Sequence, residues 1–404
     1  MGQDSIVIVG GGLAAATTVN ELREQGHTGT ISLIGQEQEL PYERPPLSKG
    51  YLQGNDKLED FTVNPASWYQ EHNVQLHLGV RAEKIDRENQ QVSLSDGSTV
   101  DYDQLVLATG ARPNLGGKQP FEGHDLPGVH LLRTVEQAKA LRETLSEDTQ
   151  LAVIGSGWIG MEVAASARSR GARVTVYSPD EVPLAKVFGD RFGHHLLELH
   201  QRNGVDVRTS TRVDSIQETD GHLEVVSSAG TSRADVVLLA IGAVPNIELA
   251  HEAGLKTERG VIVDASLRSS DPKILAIGDI AEAFNTSLRR QLRVEHWDNA
   301  IRQGKLAAAT LLGQDQNYDW APYFFTDQFD LGMEYVGYSA PEDISVVRGD
   351  TETGEFIVFW LSEGKVTAAL NVNIWDVNDT LRGLLGRSID QERLTGQSVD
   401  LAVL

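Results

Sequence analysis

The sequence predicts an α/β protein built on one βαβ unit used twice, with a smaller α+β segment after it. Three observations carry that prediction. The stretch SIVIVGGGLAAATTVNELREQGHTGTISLIG recurs about 145 residues later as LAVIGSGWIGMEVAASARSRGARVTVYS. Each copy runs from an apolar strand through a glycine turn to apolar positions at three- and four-residue spacing, then to a second apolar strand. From about Pro322 the pattern changes to short alternating segments. A repeated βαβ unit with a glycine turn at its centre points to two Rossmann-like dinucleotide-binding domains.

The elements follow in order. YDQLVLATGARPN (Tyr102–Asn114) lies between the copies, and ADVVLLAIGAVPN (Ala234–Asn246) follows the second. Each reads as a strand ending in a glycine turn and a proline, as expected where a chain crosses between domains. ILAIGDIAE, from Ile274, reads as another short buried strand. The expected division is residues 1–113 with 245–321 as a discontinuous first domain, 114–244 as an inserted second, and 322–404 as the α+β domain. In the last, strands are expected at Tyr335–Tyr338, Ser345–Gly349, Glu355–Leu361 and Val366–Val372, and a helix at Val377–Leu385.

Composition narrows the chemistry. A chain of 404 residues exceeds one ordinary core, so two or three domains are expected. The absence of cysteine excludes a disulfide framework, a thiolate nucleophile and a redox-active Cys pair. A formal net charge of −23 repels nucleic acid and anionic membranes at long range, so neither is an expected partner. No apolar run reaches the roughly 20 residues of a membrane span. MGQDSIVIVG has no basic n-region and no cleavage site, so a cytoplasmic enzyme is expected.

The first turn has the pattern G-x-G-x-x-A. Gly10 permits the tight turn, Gly12 lets backbone approach a pyrophosphate, and Ala15 lets the helix close on the strand. The helix start then offers free N–H groups and a partial positive charge to phosphates. Glu37, 25 residues past Gly12, is placed to accept hydrogen bonds from ribose hydroxyls. The second turn, with Gly155, Gly157 and Gly160, is a complete G-x-G-x-x-G. Ser178 stands where its ribose-binding acid usually sits, with Asp180 and Glu181 close behind. Asp279 reads either as the N-cap of a helix beginning at Ile280 or as an acceptor for a ribityl chain. Glu162 reads either as a solvent-facing helix residue or, between apolar Met161 and Val163, as a group near the nucleotide. PYERPPLSKG (Pro41–Gly50) is the unusual stretch: two adjacent prolines stiffen it and remove two donors, with a single lysine behind them.

In order along the chain come a first fingerprint, PYERPPLSK, LVLATGARP, LLRT, a second fingerprint with GMEVA, AIGAVPN, AIGD and EHWDNAIRQG. That series resembles the FAD-dependent, NADH-using ferredoxin reductases of bacterial oxygenase systems, the putidaredoxin reductase and biphenyl dioxygenase reductase type. Rubredoxin reductases and apoptosis-inducing factor are relatives. The resemblance covers essentially the whole length and implies a glutathione-reductase-like architecture with a C-terminal interface domain.

For the site, the resemblance implies that Pro45 and Pro46 lie against the flavin ring with Lys49 near its reactive edge. Glu37 and Arg44 hold the adenosine half of FAD, Arg133 reaches the cofactor, Asp279 takes the ribityl chain, and Trp297 sits near the pyrimidine end. Backbone at Gly10, Gly12, Leu13, Ala14 and Ala15, and at Ala82, Ala108, Thr109, Gly110 and Gly278, completes the flavin site. Gly155, Gly157, Ile159, Gly160, Ser178 and Gly242 are implied for the nicotinamide nucleotide, with Glu162 paired to Lys49. These two are the expected catalytic residues. No metal is expected. Phe325 stands where relatives often carry tryptophan.

The implied reaction is hydride transfer from NADH, with NADPH disfavoured, to non-covalent FAD, then single-electron transfer to a 2Fe–2S ferredoxin serving a Rieske dioxygenase or a cytochrome P450. A rubredoxin reductase, a quinone-type reductase and a redox-sensing flavoprotein are the alternatives. A monomer and a homodimer are both compatible with the sequence.

Overall fold

A computed structural model describes residues 4–117 and 119–404. The chain forms two compact units. One comprises the chain up to Glu43, Leu58–Arg112 and Val244–Pro322; the other comprises Arg44–Lys57, Pro113–Ala243 and Tyr323–Leu404.

The first unit is organised by a five-stranded parallel sheet in the order Ile274–Ala276, Gln104–Leu107, Ile6–Val9, Ile31–Gly35, Val74–Leu78. The central strand, IVIV, is buried along its whole length. Its β-branched residues are covered on both faces, so the sequence shows a continuous apolar run and no alternation. The helix Leu13–Glu24 buries a stripe of small residues, Ala14 to Thr18, with Val19 and Leu22. That stripe lets the helix Trp297–Leu311 approach closely: a Cβ on Gly304 would lie 2.8 Å from the Ala14 carbonyl oxygen. Thr18 donates to the Ala14 carbonyl at 2.9 Å, so its hydroxyl is satisfied inside this contact.

The second unit repeats the arrangement. Its parallel sheet runs Asp206–Arg208, Arg173–Tyr177, Gln150–Ile154, Val236–Leu239, Val129–His130. In both sheets the fingerprint strand is central, with its chain successor on one side and a later strand on the other. The crevice at the strand's C-terminal end is the topological switch point where such sheets bind ligands.

The C-terminal segment forms an antiparallel sheet in the order Tyr323–Gln328, Leu331–Gly337, Lys365–Val372, Glu355–Ser362, Ile344–Asp350. Four of these strands stand at the expected places, each with slightly shifted ends. The edge strand Tyr323–Gln328 is additional. The sheet shares one apolar cluster with the second fingerprint unit, where Met161, Phe188 and Phe192 meet Met333, Tyr335, Phe356 and Trp360. Phe188 sits edge-on to Tyr335 with centroids 5.2 Å apart. The last expected helix is present as Asn378–Leu384. No helix among the described residues is long and apolar enough to cross a membrane.

Candidate active site

Gly10 has φ +139°, and a Cβ there would sit 2.0 Å from the Ala108 carbonyl oxygen, so only glycine fits. The fit follows from the ladder: Ala108 donates its N–H to Val9 and Gly10 donates to Ile34, which draws the two crossing strands together. Gly12 is different. It is the N-cap of Leu13–Glu24, with no side chain capping the helix, and nothing lies within 4 Å of where its Cβ would be. Among the described residues no side chain at the N-cap takes up the first N–H groups of the helix, and Ala14 and Ala15 are buried just behind the turn.

The second turn has the same features. Gly155 has φ +111° and would carry a Cβ 2.3 Å from the Ala240 carbonyl oxygen. Gly157 is the uncapped N-cap of Trp158–Ser169 and faces open space, as does Gly242. A Cβ on Gly160 would meet the Gly155 carbonyl oxygen at 2.1 Å, so the third position here demands glycine, whereas Ala15 fills it in the first unit. Ile159 is 43% exposed at the helix start. Each turn is a backbone cradle that a Cβ would fill, and each fits a dinucleotide pyrophosphate.

Around the first cradle, Gly278 has φ +71° and donates its N–H to Gln303 Oε1 at 2.7 Å. This holds the Gly278–Ile280 turn near Ala14 and sets the place of Asp279. A strand, Ala281–Asn285, follows where a helix from Ile280 was one expectation, so Asp279 caps no helix. Asp279 offers its carbonyl to Arg293. Trp297 opens the helix Trp297–Leu311 and donates Nε1–H to Glu43 Oε2 at 2.9 Å. Glu37 lies just past the strand Ile31–Gly35 and accepts from the Tyr42 hydroxyl. Thr109 donates to the Asn246 carbonyl at 2.7 Å and Gly110 accepts from the Asn246 N–H, which pins the chain crossing. Ala82 begins the antiparallel strand Ala82–Asp86.

In the second unit, Pro45–Ser48 form a 3-10 turn, a geometry that uses few donors and suits two prolines. The turn delivers Lys49 to Glu162, Nζ to Oε1 at 2.5 Å. Glu162 is 5% exposed on Trp158–Ser169, so the solvent-facing reading of this residue is overturned. Its Oε2 accepts from Ser48 Oγ at 2.5 Å and its Oε1 also accepts from Thr326 Oγ1 at 2.7 Å. Phe325 lies under Lys49, the ammonium 5.4 Å from the ring centre. Arg44 donates to the carbonyl of Arg133, just before Thr134 caps the helix Val135–Thr144. Ser178 is fully buried, and its hydroxyl accepts from Ser156 Oγ at 2.7 Å and donates to the Asp180 carbonyl at 3.2 Å. Its side chain is spent inside the turn, and Asp180 and Glu181 are the acids that follow it.

Sequence reasoning missed Ser48, Thr326 and Gln328. No sequence signal marked them: in YFFTDQ, Thr326 and Gln328 are buried and Asp327 between them is exposed, yet all three residues are polar.

The pyridine nucleotide-disulphide oxidoreductase description matches residues 4–304, and a reductase C-terminal description matches residues 323–404. The chain is 39% identical over 407 residues to the ferredoxin–NAD(+) reductase component of the anthranilate 1,2-dioxygenase system of Burkholderia cepacia, spanning 99% of each. To rhodocoxin reductase of Rhodococcus erythropolis it is 38% identical over 371 residues, spanning 91% of this chain and 86% of that one. A chain in the crystal structure of the covalent putidaredoxin reductase–putidaredoxin complex superposes with a TM-score of 0.94 at 35% identity, with 98% of this chain and 97% of that one covered. With two dinucleotide cradles and a matching C-terminal domain, the chain belongs to the pyridine nucleotide-disulphide oxidoreductase family.

Proposed function

We propose that the protein is a cytoplasmic flavoprotein reductase that oxidises NADH and delivers electrons singly to a 2Fe–2S ferredoxin serving an oxygenase. One observation carries the reading: two separate dinucleotide cradles occur in a chain with no cysteine. The disulfide chemistry in the family's name is impossible here, so electrons must leave to an external acceptor. The names of the ferredoxin reductase relatives supply the class of that acceptor.

FAD is assigned to the first cradle, with Glu37, Asp279 and Trp297 as polar partners, and NADH to the second. Bound FAD supplies the two-electron-to-one-electron conversion that no side chain can perform. The residues bind and orient. Lys49 provides a fixed positive charge, Glu162 holds that charge in place, and Pro45 and Pro46 give an apolar wall with no donors to satisfy. The deciding experiment is NADH turnover with and without a 2Fe–2S ferredoxin. Ferredoxin-dependent one-electron turnover is expected. Equal turnover without it, or with a quinone alone, would favour a small-molecule reductase.

NADH should be preferred over NADPH by about tenfold or more in kcat/KM, because Asp180 and Glu181 place negative charge where a 2′-phosphate would enter. Arg208, beside Ser178, is engaged with Asp206 and Ser232 and does not offset them. Comparable efficiencies would show that both acids point away.

The partner surface is assigned to the hairpin Ala281–Asn285/Arg290–Leu292, where Arg289, Arg290 and the 39%-exposed Phe284 are presented. Arg293, just past this hairpin, pairs with Glu295. Arg382 and Arg387 are the alternative. Arg387 lies beyond the helix Asn378–Leu384 and donates to the Leu404 carbonyl. Charge reversal at Arg289 and Arg290 should weaken ferredoxin reduction about tenfold at low salt and spare ferricyanide reduction. Equal loss with both acceptors would remove the docking assignment.

A further inference from the structure

The hydrogen bonds around Glu162 continue well past the ion pair. Thr326 Oγ1 is 2.7 Å from Glu162 Oε1, Gln328 Nε2 is 3.1 Å from Thr326 Oγ1, and Gln328 Oε1 is 2.8 Å from His200 Nε2. None of the four residues is more than 5% exposed. The carboxylate end dictates the direction of every bond. Glu162 can only accept, so Thr326 donates to it. With its proton committed, Thr326 accepts from the Gln328 amide nitrogen, which turns the Gln328 oxygen toward His200.

His200 must then carry its proton on Nε2. Burial lowers the imidazole pKa to about 4, which keeps the ring neutral at physiological pH. Among the described residues its Nδ1 has no hydrogen-bond partner, a state tolerable for a bare lone pair and costly for a buried N–H. The opposite amide orientation would create that buried N–H, so one arrangement satisfies the chain. Polar side chains at Thr326 and Gln328 interrupt a strand whose partners are Met333 and Leu331. Valine and leucine would meet a packing requirement there at lower cost.

We propose that Thr326 and Gln328 are positioning residues for hydride transfer: with His200 they form an oriented hydrogen-bond chain that holds the Glu162 carboxylate in its pairing with Lys49. The proposal rests on the second cradle being the nicotinamide site. Glu162 Oε1 is shared between Lys49 and Thr326, and Ser48 holds only Oε2. Loss of the Thr326 hydroxyl frees the carboxylate to rotate about Ser48, and the Lys49 ammonium moves with it. The segment Tyr323–Leu404 thereby acts on a helix that opens at the second cradle.

The test compares Thr326→Val, which keeps shape and removes the donor, with Thr326→Ser, which keeps the donor. Stopped-flow reduction of the holoenzyme by saturating NADH should slow about tenfold in Thr326→Val, with the NADH dissociation constant within about twofold of wild type. Thr326→Ser should stay within about twofold of wild type in both. Gln328→Leu should slow reduction about threefold and add nothing to Thr326→Val in the double variant. Independently of turnover, histidine-ring nitrogen NMR, assigned by the signal lost in His200→Gln, should show a protonated Nε2 and a bare Nδ1. An unchanged rate in Thr326→Val, equal losses in the Val and Ser variants, or a protonated Nδ1 on His200 would overturn the proposal. Failure of the wild-type protein to be reduced by NADH would instead overturn the functional reading on which it stands.

Discussion

Glu162→Ala should retain FAD at the wild-type level and lose NADH-driven flavin reduction by about a hundredfold. The substitution deletes the acceptor for three donors at once: Lys49 Nζ, Ser48 Oγ and Thr326 Oγ1. Lys49 has 18% of its side chain exposed, so its ammonium is left largely desolvated and uncompensated. Breaking such a pair by removing one partner costs roughly 3 kcal/mol, and the lysine relieves part of that by moving toward water. On the proposed reading that movement disables the chemistry, because a charge displaced by about 1 Å no longer stands where charge develops. Glu162→Gln keeps an acceptor but no countercharge and should fall between the two. The measurement is the limiting rate of flavin bleaching, with flavin content and thermal stability recorded on the same samples. Wild-type reduction kinetics in Glu162→Ala would return this residue to a structural role in the second unit.

Gly12→Ala should abolish flavin binding in a protein that still folds, whereas Gly10→Ala should damage both. The two positions lie two residues apart and differ in what a methyl group would meet. At Gly10 it collides with the Ala108 carbonyl at 2.0 Å on a backbone of φ +139°, so the strand crossing must open. At Gly12 it meets no atom of the described residues within 4 Å, and φ is −100°, which alanine adopts freely. The only thing that methyl can obstruct is a ligand approaching the helix N-terminus. Gly12→Ala is thus expected to be colourless after purification, with an apoprotein melting temperature within a few degrees of wild-type apoprotein, while Gly10→Ala melts lower. Full flavin content in Gly12→Ala would mean that the dinucleotide lies elsewhere. The same contrast between Gly157 and Gly155 should separate NADH affinity from fold in the second unit.

Both cradles were legible in the amino-acid sequence because their requirements are local. A positive φ restricts Gly10 and Gly155 to glycine, and a helix start open to a pyrophosphate leaves no room for a side chain at Gly12 and Gly157. The strands beside them were legible for a related reason: a doubly covered parallel strand reads as an unbroken apolar run, as in IVIV and LAVI. At Asp279 the local reading left two roles open, and a 3-10 turn leading into a strand removes the helix cap. The local reading was also incomplete at Ser178, whose hydroxyl turned inward to Ser156.

The class of chemistry was already written in the amino acids: two dinucleotide cradles and no thiol, hence electron transfer without a cysteine relay. Tertiary structure decided which polar side chains serve that chemistry. The residues around Glu162 alone left a surface role open, the resemblance favoured a pairing with Lys49, and its partners come from 113, 114 and 164 residues away. Thr326, Gln328 and His200 carry no local signature, because a threonine, a glutamine or a histidine is acceptable in almost any strand or helix. What distinguishes them is desolvation together with specific hydrogen-bond partners, and that requirement arises only once distant segments are packed against one another.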